Sequence, residues 1–240
     1  MNSSIANQDR LIVALDVPTI SEAKDLVIKL EDSVNFYKIG LELCMSSDYF
    51  ELIDWLSKQN KKIFADLKLL DIPATVGKAV RNLSKYKIDF LTIHVSDLET
   101  MKAAVENKGN IKILAVTILT SFDEKGLSDI GFDDRYEISD LVLKRAKLAQ
   151  NCAIDGVIAS GLEADIIRSN LGKNFLIVTP GIRFGEDKKD DQKRTVDIKT
   201  AFAKGADYIV VGRPITLSSN PKEVAQKITA EIIKQIDGCS

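Results

Sequence analysis

Eight short apolar segments recur along the chain, and each is followed by a longer amphipathic segment with helical spacing. The apolar segments are nearly continuous rather than alternating, which is typical of parallel strands buried on both faces. Eight strands in 240 residues give one strand–helix unit in about 30 residues, the period of a (β/α)8 barrel. We therefore predict an α/β fold, a (β/α)8 TIM barrel, with strands at residues 10–16, 35–40, 62–68, 89–95, 111–119, 155–160, 175–181 and 207–213.

Two of the helical segments carry recognisable start signals. Thr19 and Glu22 have the spacing of a capping box, so a helix should begin after Thr19. Asn220 and Glu223 repeat that spacing, with Pro221 at the first helical position. These signals place helices directly after the first predicted strand and after the last one.

A doubly wound parallel sheet is the structural alternative to a barrel. Such sheets usually have fewer strands and often carry G-x-G-x-x-G in the first turn. Here that turn reads "LDVPTISE" (15–22), and the chain has no Walker sequence either. Because no linker or low-complexity segment divides the chain, we expect residues 1–240 to form a single (β/α)8 barrel domain.

Composition excludes several classes of function. Apolar residues make up 45% and charged residues 28%, as in soluble globular proteins, and a net charge of −2 gives no global field for nucleic acid. No apolar run approaches the ~18 residues that cross a bilayer, and the first ten residues lack an apolar signal region. We therefore expect a cytoplasmic protein with neither a membrane nor a nucleic acid as partner.

The few cysteines and the single histidine restrict the chemistry further. Cys44, Cys152 and Cys239 are an odd number of widely spaced residues, which indicates reduced thiols rather than disulfides or a zinc site. With His94 alone, one chain cannot build a site of several histidines. Any chemistry should therefore depend on carboxylates and lysines.

Charged residues stand at the ends of the first three predicted strands, where a barrel carries its active groups. Asp16 ends the first strand, Lys38 the second, and Asp66 and Lys68 the third. Two residues apart on a strand, Asp66 and Lys68 should project to the same side, and Lys38 can join them from the adjacent strand. Buried charges at this density are costly unless they pair with one another. Such a paired set would present a fixed field to a substrate.

Taken singly, the same residues have ordinary structural explanations. Asp16 could begin a turn before Pro18, and Lys38 could extend along the rim with its ammonium group in water. Asp71 precedes "IPATV" and is well placed to cap a helix, the explanation that we favour for this residue alone. A lone strand-end histidine such as His94 more often packs than reacts.

The segments after the seventh and eighth predicted strands suggest a phosphate site. In such barrels these loops often bind phosphate. Gly212 lets the backbone approach a ligand closely, and Arg213 supplies a planar fork of donors. Arg183 should lie opposite, and the long polar loop 183–195, which includes Gln192, has the length of a lid.

Together these segments resemble the orotidine 5′-monophosphate decarboxylase family, in matching order and over nearly the whole chain. The segments that carry the resemblance are "LDVP", "YKIG", "DLKLLDIPATV", "LTS", "TPGIR", "DDQKR" and "VVGRPIT". The pattern D-x-K-x-x-D alone is shared with related sugar-phosphate lyases, whereas the full ordered set is much more specific.

The resemblance implies conversion of orotidine 5′-monophosphate to UMP and CO2 in de novo pyrimidine biosynthesis, without a cofactor or a metal. It implies that Lys68 donates a proton to C6 of the pyrimidine, Asp66 lies beside the substrate carboxylate, and Lys38 bridges Asp66 and the ribose. The other implied contacts are Asp16 with the ribose hydroxyls, Thr120 with the pyrimidine, and Gln192, Gly212, Arg213 and the nearby Arg183 with the phosphate.

The resemblance also implies a homodimer with shared active sites, in which Asp71 and Thr75 enter the partner's site. Two alternatives stay open: a Mg²⁺-dependent sugar-phosphate decarboxylase or lyase of the same superfamily, and a non-catalytic barrel that binds a nucleotide. "DIPATV", "LTS" and the glutamine in the long loop argue against the first. The intact set of Asp66, Lys68 and Asp71 argues against the second, because a pure binding protein has no need of so many opposed charges.

Overall fold

The computed structural model describes residues 2, 4–133, 135–184 and 194–237. Eight parallel strands close into a barrel in chain order, and the last of them pairs with the first. The barrel strands are β1 (Leu11–Ala14), β2 (Phe36–Ile39), β3 (Lys62–Leu69), β4 (Phe90–His94), β5 (Lys112–Val116), β6 (Gly156–Ile158), β7 (Leu176–Thr179) and β10 (Tyr208–Val211). Every predicted strand is present, and the predicted (β/α)8 TIM barrel is confirmed.

Helices alternate with the strands along the chain. They are α1 (Ile20–Leu30), α2 (Leu41–Cys44), α3 (Tyr49–Lys58), α4 (Pro73–Leu83), α5 (Leu98–Asn107), α6 (Glu124–Asp129), α7 (Ile138–Asn151), α8 (Ala164–Leu171), α9 (Ile198–Ala203), α10 (Arg213–Thr216) and α11 (Pro221–Asp237). Within the described ranges, none of these helices combines the length and the apolar character needed to cross a bilayer.

Both predicted helix starts are confirmed by their hydrogen bonds. The Thr19 hydroxyl oxygen accepts from the backbone N–H of Glu22 at 3.2 Å, and the hydroxyl donates to the Glu22 carboxylate at 2.9 Å. Asn220 caps α11 in the same way, because its side-chain oxygen accepts from the N–H of Glu223 at 3.4 Å. In both caps the glutamate carboxylate also bonds to the side chain of the cap residue.

Alternation along the strands divides the buried residues into two sets. Residues such as Leu11 and Val13 face outward and join the large core between the barrel and its helices. Ile12 and Ala14 belong to a smaller cluster inside the barrel. Charged groups can therefore face the barrel interior only where this cluster ends.

Four aromatic rings form the part of the interior cluster that lies toward the amino ends of the strands. Phe90 lies at the centre, with ring centroids 5.0 Å from Phe36, 5.2 Å from Tyr208 and 6.0 Å from Phe64. Three of these residues are the first residue of their strand. We call this set, Phe36, Phe64, Phe90 and Tyr208, the aromatic floor, because it closes the end of the barrel opposite the predicted site.

Two long loops carry secondary structure that the sequence does not predict. The segment after β5 forms α6 before the predicted helix begins as α7. After β7, the two-residue strands β8 (Ile182–Arg183) and β9 (Val196–Asp197) pair in parallel and hold together the two ends of the predicted lid loop. The region 185–193 in that loop, including Gln192, lies outside the described residues.

Candidate active site

A cavity of about 450 Å³ opens at the carboxyl ends of the barrel strands. This is the face on which barrels of this class carry their active groups. Its walls come from the ends of β1, β2 and β3 and from segments that follow β5, β7 and β10. The predicted site residues that line the cavity are Asp16, Lys38, Asp66, Lys68, Thr120, Gly212 and Arg213.

An alternating chain of charges crosses one wall of this cavity. The ammonium group of Lys38 lies 2.9 Å from Asp16 Oδ1 and 3.5 Å from Asp66 Oδ2. The ammonium group of Lys68 lies 2.8 Å from the same Oδ2 of Asp66. We call these four residues the charged array. Its acceptor and donor groups alternate, so each buried charge has an opposite charge beside it.

Burial and pairing act in opposite directions on the pKa values of the array. The side chains of Lys38 and Asp66 are only 11% and 10% exposed. Burial alone would raise the pKa of Asp66, but the ammonium groups of Lys38 and Lys68 outweigh it and hold this pKa below its ordinary value. Burial alone would lower the pKa of Lys38, but Asp66 and Asp16 outweigh it and raise this pKa. Both groups are therefore charged at neutral pH.

The backbone of β3 is irregular where it carries the array. Ala65 pairs with Leu91, but the next pair joins Leu69 to Ile93, so four residue steps on β3 span two on β4. Within this bulge Lys68 adopts φ 48°, in the left-handed region, which costs a residue other than glycine about 1–2 kcal/mol. The sequence predicts regular alternation here, and nothing in it signals the bulge.

Thr92 on β4 faces this bulge and is a member of the site that sequence reasoning missed. The side chain is fully buried. Its hydroxyl oxygen accepts from the backbone N–H of Lys68 at 2.9 Å, and the hydroxyl donates to Asp66 Oδ1 at 2.8 Å. A threonine inside an apolar strand resembles any other β-branched core residue, so its role could not be inferred from spacing.

The lone histidine stands at the end of β4, beside the array. Burial lowers the pKa of His94, and the positive charges of Arg145 and Lys68 lower it further against the opposing effect of Asp66. His94 is therefore a neutral imidazole near pH 7, and it adds no charge to the array.

The wall that follows β10, next to β1, carries two of the predicted phosphate-binding residues. Gly212 is the cap residue of the short helix α10, and Arg213 is its exposed first residue. A Cβ on Gly212 would lie 3.5 Å from the Cβ of Ala14 and 3.6 Å from Asp16 Oδ2, in ordinary contact. Gly212 therefore connects this wall to the outer end of the charged array.

Arg183 lies at the start of the lid loop rather than in the cavity wall. It belongs to β8, and its Nε donates to Thr195 Oγ1 at 3.3 Å. The structure therefore ties Arg183 to the other end of the same loop.

A buried arginine that the sequence did not single out fixes the loop's carboxyl-terminal end. Arg194 Nη1 lies 2.7 Å from Glu163 Oε1, and both side chains are less than one-tenth exposed. Arg194 Nη2 donates to the carbonyl oxygens of Ile118 and Leu119 at 3.0 and 3.2 Å. The Arg194 backbone N–H donates to the carbonyl of Thr120 at 3.3 Å. The end of the lid loop and the segment that carries Thr120 are thereby held together.

Asp71 and Thr75 are exposed and lie outside the cavity wall of their own chain. The interpretation of Asp71 as the cap of α4 is wrong. Ile72 is the cap residue, and Asp71 Oδ1 instead accepts from the Ile72 N–H at 2.7 Å. Proline has no backbone N–H that needs an acceptor, so Pro73 fits the first position of α4. Ile72 then occupies the cap position, and the Asp71 carboxylate stands one residue too early to cap the helix.

No group of three or more His, Cys, Asp or Glu side chains that could hold a metal ion occurs in the described part of the chain. Of the three cysteines, Cys44 and Cys152 are free thiols, and Cys239 lies outside the described residues.

The family model and closely similar curated sequences point to the same protein family. Residues 9–228 match the model of the "Orotidine 5'-phosphate decarboxylase / HUMPS family". The orotidine 5'-phosphate decarboxylase of Methylococcus capsulatus is 51% identical over 232 residues, covering 96% of this chain and 95% of that protein. The protein of the same name from Stenotrophomonas maltophilia is 48% identical over 229 residues, covering 95% and 94%.

Solved structures agree with these relatives. The orotidine 5'-phosphate decarboxylase of Lactobacillus acidophilus superposes with a TM-score of 0.82 at 37% identity, covering 93% of this chain and 99% of that one. The enzyme of the same name from Pyrococcus horikoshii gives 0.74 at 28% identity with the same coverage. On the strength of the family match and these relatives, the chain belongs to the orotidine 5'-phosphate decarboxylase / HUMPS family.

Proposed function

We propose that this protein is an orotidine-5′-phosphate decarboxylase, which converts orotidine 5′-monophosphate to UMP and CO2 in de novo pyrimidine biosynthesis. The observation that carries the proposal is the charged array, in which the ammonium groups of Lys38 and Lys68 share one oxygen of the buried Asp66 at the carboxyl ends of the strands. Relatives at about half identity over nearly the whole chain carry this enzyme's name.

The reaction needs a group that stabilises and then protonates a carbanion. When the bond between C6 and the carboxylate breaks, CO2 leaves and the electron pair stays on C6, where the ring delocalises it poorly. In our proposal the Lys68 ammonium lies at C6, stabilises the developing charge, and transfers a proton from Nζ to carbon. Lys68 then regains a proton from solvent, so the cycle needs no cofactor.

The other members of the array act on the substrate and on Lys68. Asp66 would lie beside the substrate carboxylate, where it can destabilise the bound ground state and hold the Lys68 ammonium in place. Lys38 contacts both Asp66 and Asp16, which supports a bridging role between the reacting carboxylate and the ribose. Asp16 would hold the ribose hydroxyls.

Binding of the rest of the nucleotide is assigned to the parts of the cavity wall that follow β5 and β10 and to the lid loop. Thr120 would contact the pyrimidine, while Gly212 and Arg213 would bind the phosphate together with Gln192 and the nearby Arg183. Phosphate contacts lie far from C6, so their binding energy can close the lid loop and offset desolvation of the reacting ring.

The same proposal includes a homodimer with shared sites. Asp71 and Thr75 are exposed, and Asp71 stands between Leu70 and Ile72, whose side chains are 64% and 65% exposed. These exposed apolar side chains beside Asp71 support a protein–protein interface at this surface. A second copy seated there would bring its own Asp71 and Thr75 toward the cavity of the first.

We also propose that residues 1–240 act as one barrel domain in the cytoplasm. The family match spans most of the chain, and the free thiols of Cys44 and Cys152 suit a reducing compartment.

The direct test follows the fall in orotidine 5′-monophosphate absorbance before and after exhaustive EDTA treatment. Full activity in both samples is expected. Activity that is lost with EDTA and restored by Mg²⁺ would instead favour a Mg²⁺-dependent sugar-phosphate decarboxylase or lyase. Tight binding of UMP without turnover would indicate a non-catalytic barrel.

A further inference from the structure

We propose that Thr92 is a positioning residue for the decarboxylation: its hydroxyl holds Asp66 and Lys68 in their reactive arrangement without touching the substrate. This inference rests on the proposed function. It is carried by the two hydrogen bonds that one fully buried hydroxyl makes to the two residues.

The direction of both hydrogen bonds is fixed by chemistry. A backbone N–H can only donate, so the Thr92 oxygen must accept from Lys68. The hydroxyl proton is then available to only one partner, and the nearest acceptor is Asp66 Oδ1 at 2.8 Å. Thr92 therefore favours the ionised form of Asp66 and fixes the rotation of its carboxylate.

The rotation of the Asp66 carboxylate determines which of its oxygens faces the ammonium groups of Lys38 and Lys68. Oδ1 of Asp66 is bound by Thr92, which leaves Oδ2 facing Lys68 at 2.8 Å and Lys38 at 3.5 Å. If the carboxylate turned freely, either oxygen could meet the ammonium group of Lys68. The hydroxyl thus selects one geometry for the pair on which the reaction depends.

Thr92 also supports the strained backbone of Lys68. It lies between Leu91 and Ile93, the two β4 residues that pair with the ends of the bulge. In the bulge the Lys68 N–H loses its place in the strand ladder, and the Thr92 hydroxyl accepts it instead. The Lys68 N–H, which is partly buried, therefore keeps a hydrogen-bond partner in the left-handed conformation.

The test is the substitution Thr92→Val, which keeps the shape of the side chain and removes the hydroxyl. We expect kcat to fall about 10- to 100-fold, as for a lost hydrogen bond to a charged group, with KM changed by less than about threefold. UMP binding, measured by calorimetry, should be retained. Thr92→Ser keeps the hydroxyl and should stay close to the parent in kcat.

A pH profile distinguishes positioning from a loss of packing. Removing the hydroxyl removes one bond that favours ionised Asp66, so its pKa should rise and the acid limb of kcat should move to higher pH. Among the described residues, the other charged or titratable groups acting around Asp66 are Lys38 on β2, Lys68 on β3, His94 on β4, Tyr49 on α3 and, through Lys38, Asp16. All of them are unchanged in the valine variant.

Titration of the Asp66 carboxyl carbon by NMR in unliganded protein, assigned with Asp66→Asn, gives a readout that needs no turnover. An inactive parent would refute the proposed function, while a higher Asp66 pKa in Thr92→Val would still support the role of Thr92. An unchanged pKa, or a kcat equal to the parent's, would overturn it. If the valine variant fails to fold, Thr92→Ala and Thr92→Ser form the matched pair, and equal loss in both would also overturn the inference.

Discussion

Lys68 adopts a backbone conformation that lysine disfavours. Lysine seldom adopts a positive φ, yet here the left-handed conformation brings the ammonium group to the oxygen of Asp66 that Lys38 also approaches. A glycine would relax the backbone and lose the amine. The strain is thus part of how the reactive group is placed.

Removing that amine should stop the reaction and leave binding intact. For Lys68→Ala we expect kcat to fall at least about 10³-fold, because charge stabilisation and the proton donor are lost together. UMP affinity and the circular dichroism spectrum should stay near the parent's. Lys85→Ala, on an exposed lysine that bonds only to Asn82 among the described contacts, is the control, and near-normal turnover by Lys68→Ala would refute the assignment.

In the proposed mechanism Arg213 contributes to substrate binding rather than to the chemical step. Arg213→Ala would remove the proposed charge-assisted contact to the phosphate, so KM should rise about 10- to 100-fold in steady-state kinetics. Arg213→Lys keeps the charge without the planar fork and should give an intermediate KM. A KM equal to the parent's in the alanine variant would place the phosphate elsewhere.

At the scale of elements, the strands were predictable because parallel strands buried on both faces leave long apolar runs in the sequence. The bulge in β3 was not predictable from the sequence. It inserts two extra residues, an even number, so the alternation of side chains between the two faces of the strand is the same before and after it. For that reason the side chains of Phe64, Asp66 and Lys68 still face the interior, and reasoning from regular alternation gave the correct side.

The short elements escaped prediction for a different reason. Two-residue strands such as β8 and β9 show no periodicity. Asp71 before Pro73 looks like a helix cap, but the carboxylate binds the N–H of Ile72 instead. An arginine at the end of a polar loop, as Arg194 is, looks solvated until the fold buries it beside Glu163.

The buried pair of Arg194 and Glu163 should behave as one unit that joins three loops. Glu163→Leu leaves a buried guanidinium without its carboxylate and should lower the free energy of unfolding by about 3–5 kcal/mol. The double variant Glu163→Leu with Arg194→Met should lie closer to the parent than Glu163→Leu alone. Urea unfolding at pH 7 measures all four proteins, and strictly additive losses would show that the two side chains act independently.

At the scale of the whole molecule, the proposed sharing of active sites between two chains predicts that two inactive variants can complement each other. Mixing and refolding inactive Lys68→Ala and Asp71→Ala subunits should restore activity. Each mixed dimer has one site with both intact residues, so an equimolar random mixture should regain about a quarter of the parental activity. Either variant refolded alone is the control. If no mixing ratio restores turnover, Asp71 serves its own chain.

A role that depends on a second copy of the chain is harder to predict from one sequence than a role within the chain. Asp71 and Thr75 are exposed in the single chain, and their predicted role depends entirely on a second copy. The charged array, by contrast, could be anticipated because its members follow adjacent strands whose ends must meet. Proximity within one barrel can be deduced from strand order, whereas proximity across an interface cannot.

The aromatic floor has a consequence for how such a protein can change over time. Phe36, Phe90 and Tyr208 hold the barrel together at the end away from the charged array. Substitutions that adapt the protein to heat or cold can therefore accumulate at the floor while the reacting groups stay fixed. Selection can therefore change the thermal stability of the barrel without changing the charged array, because the aromatic floor and the array lie at opposite ends of the same strands.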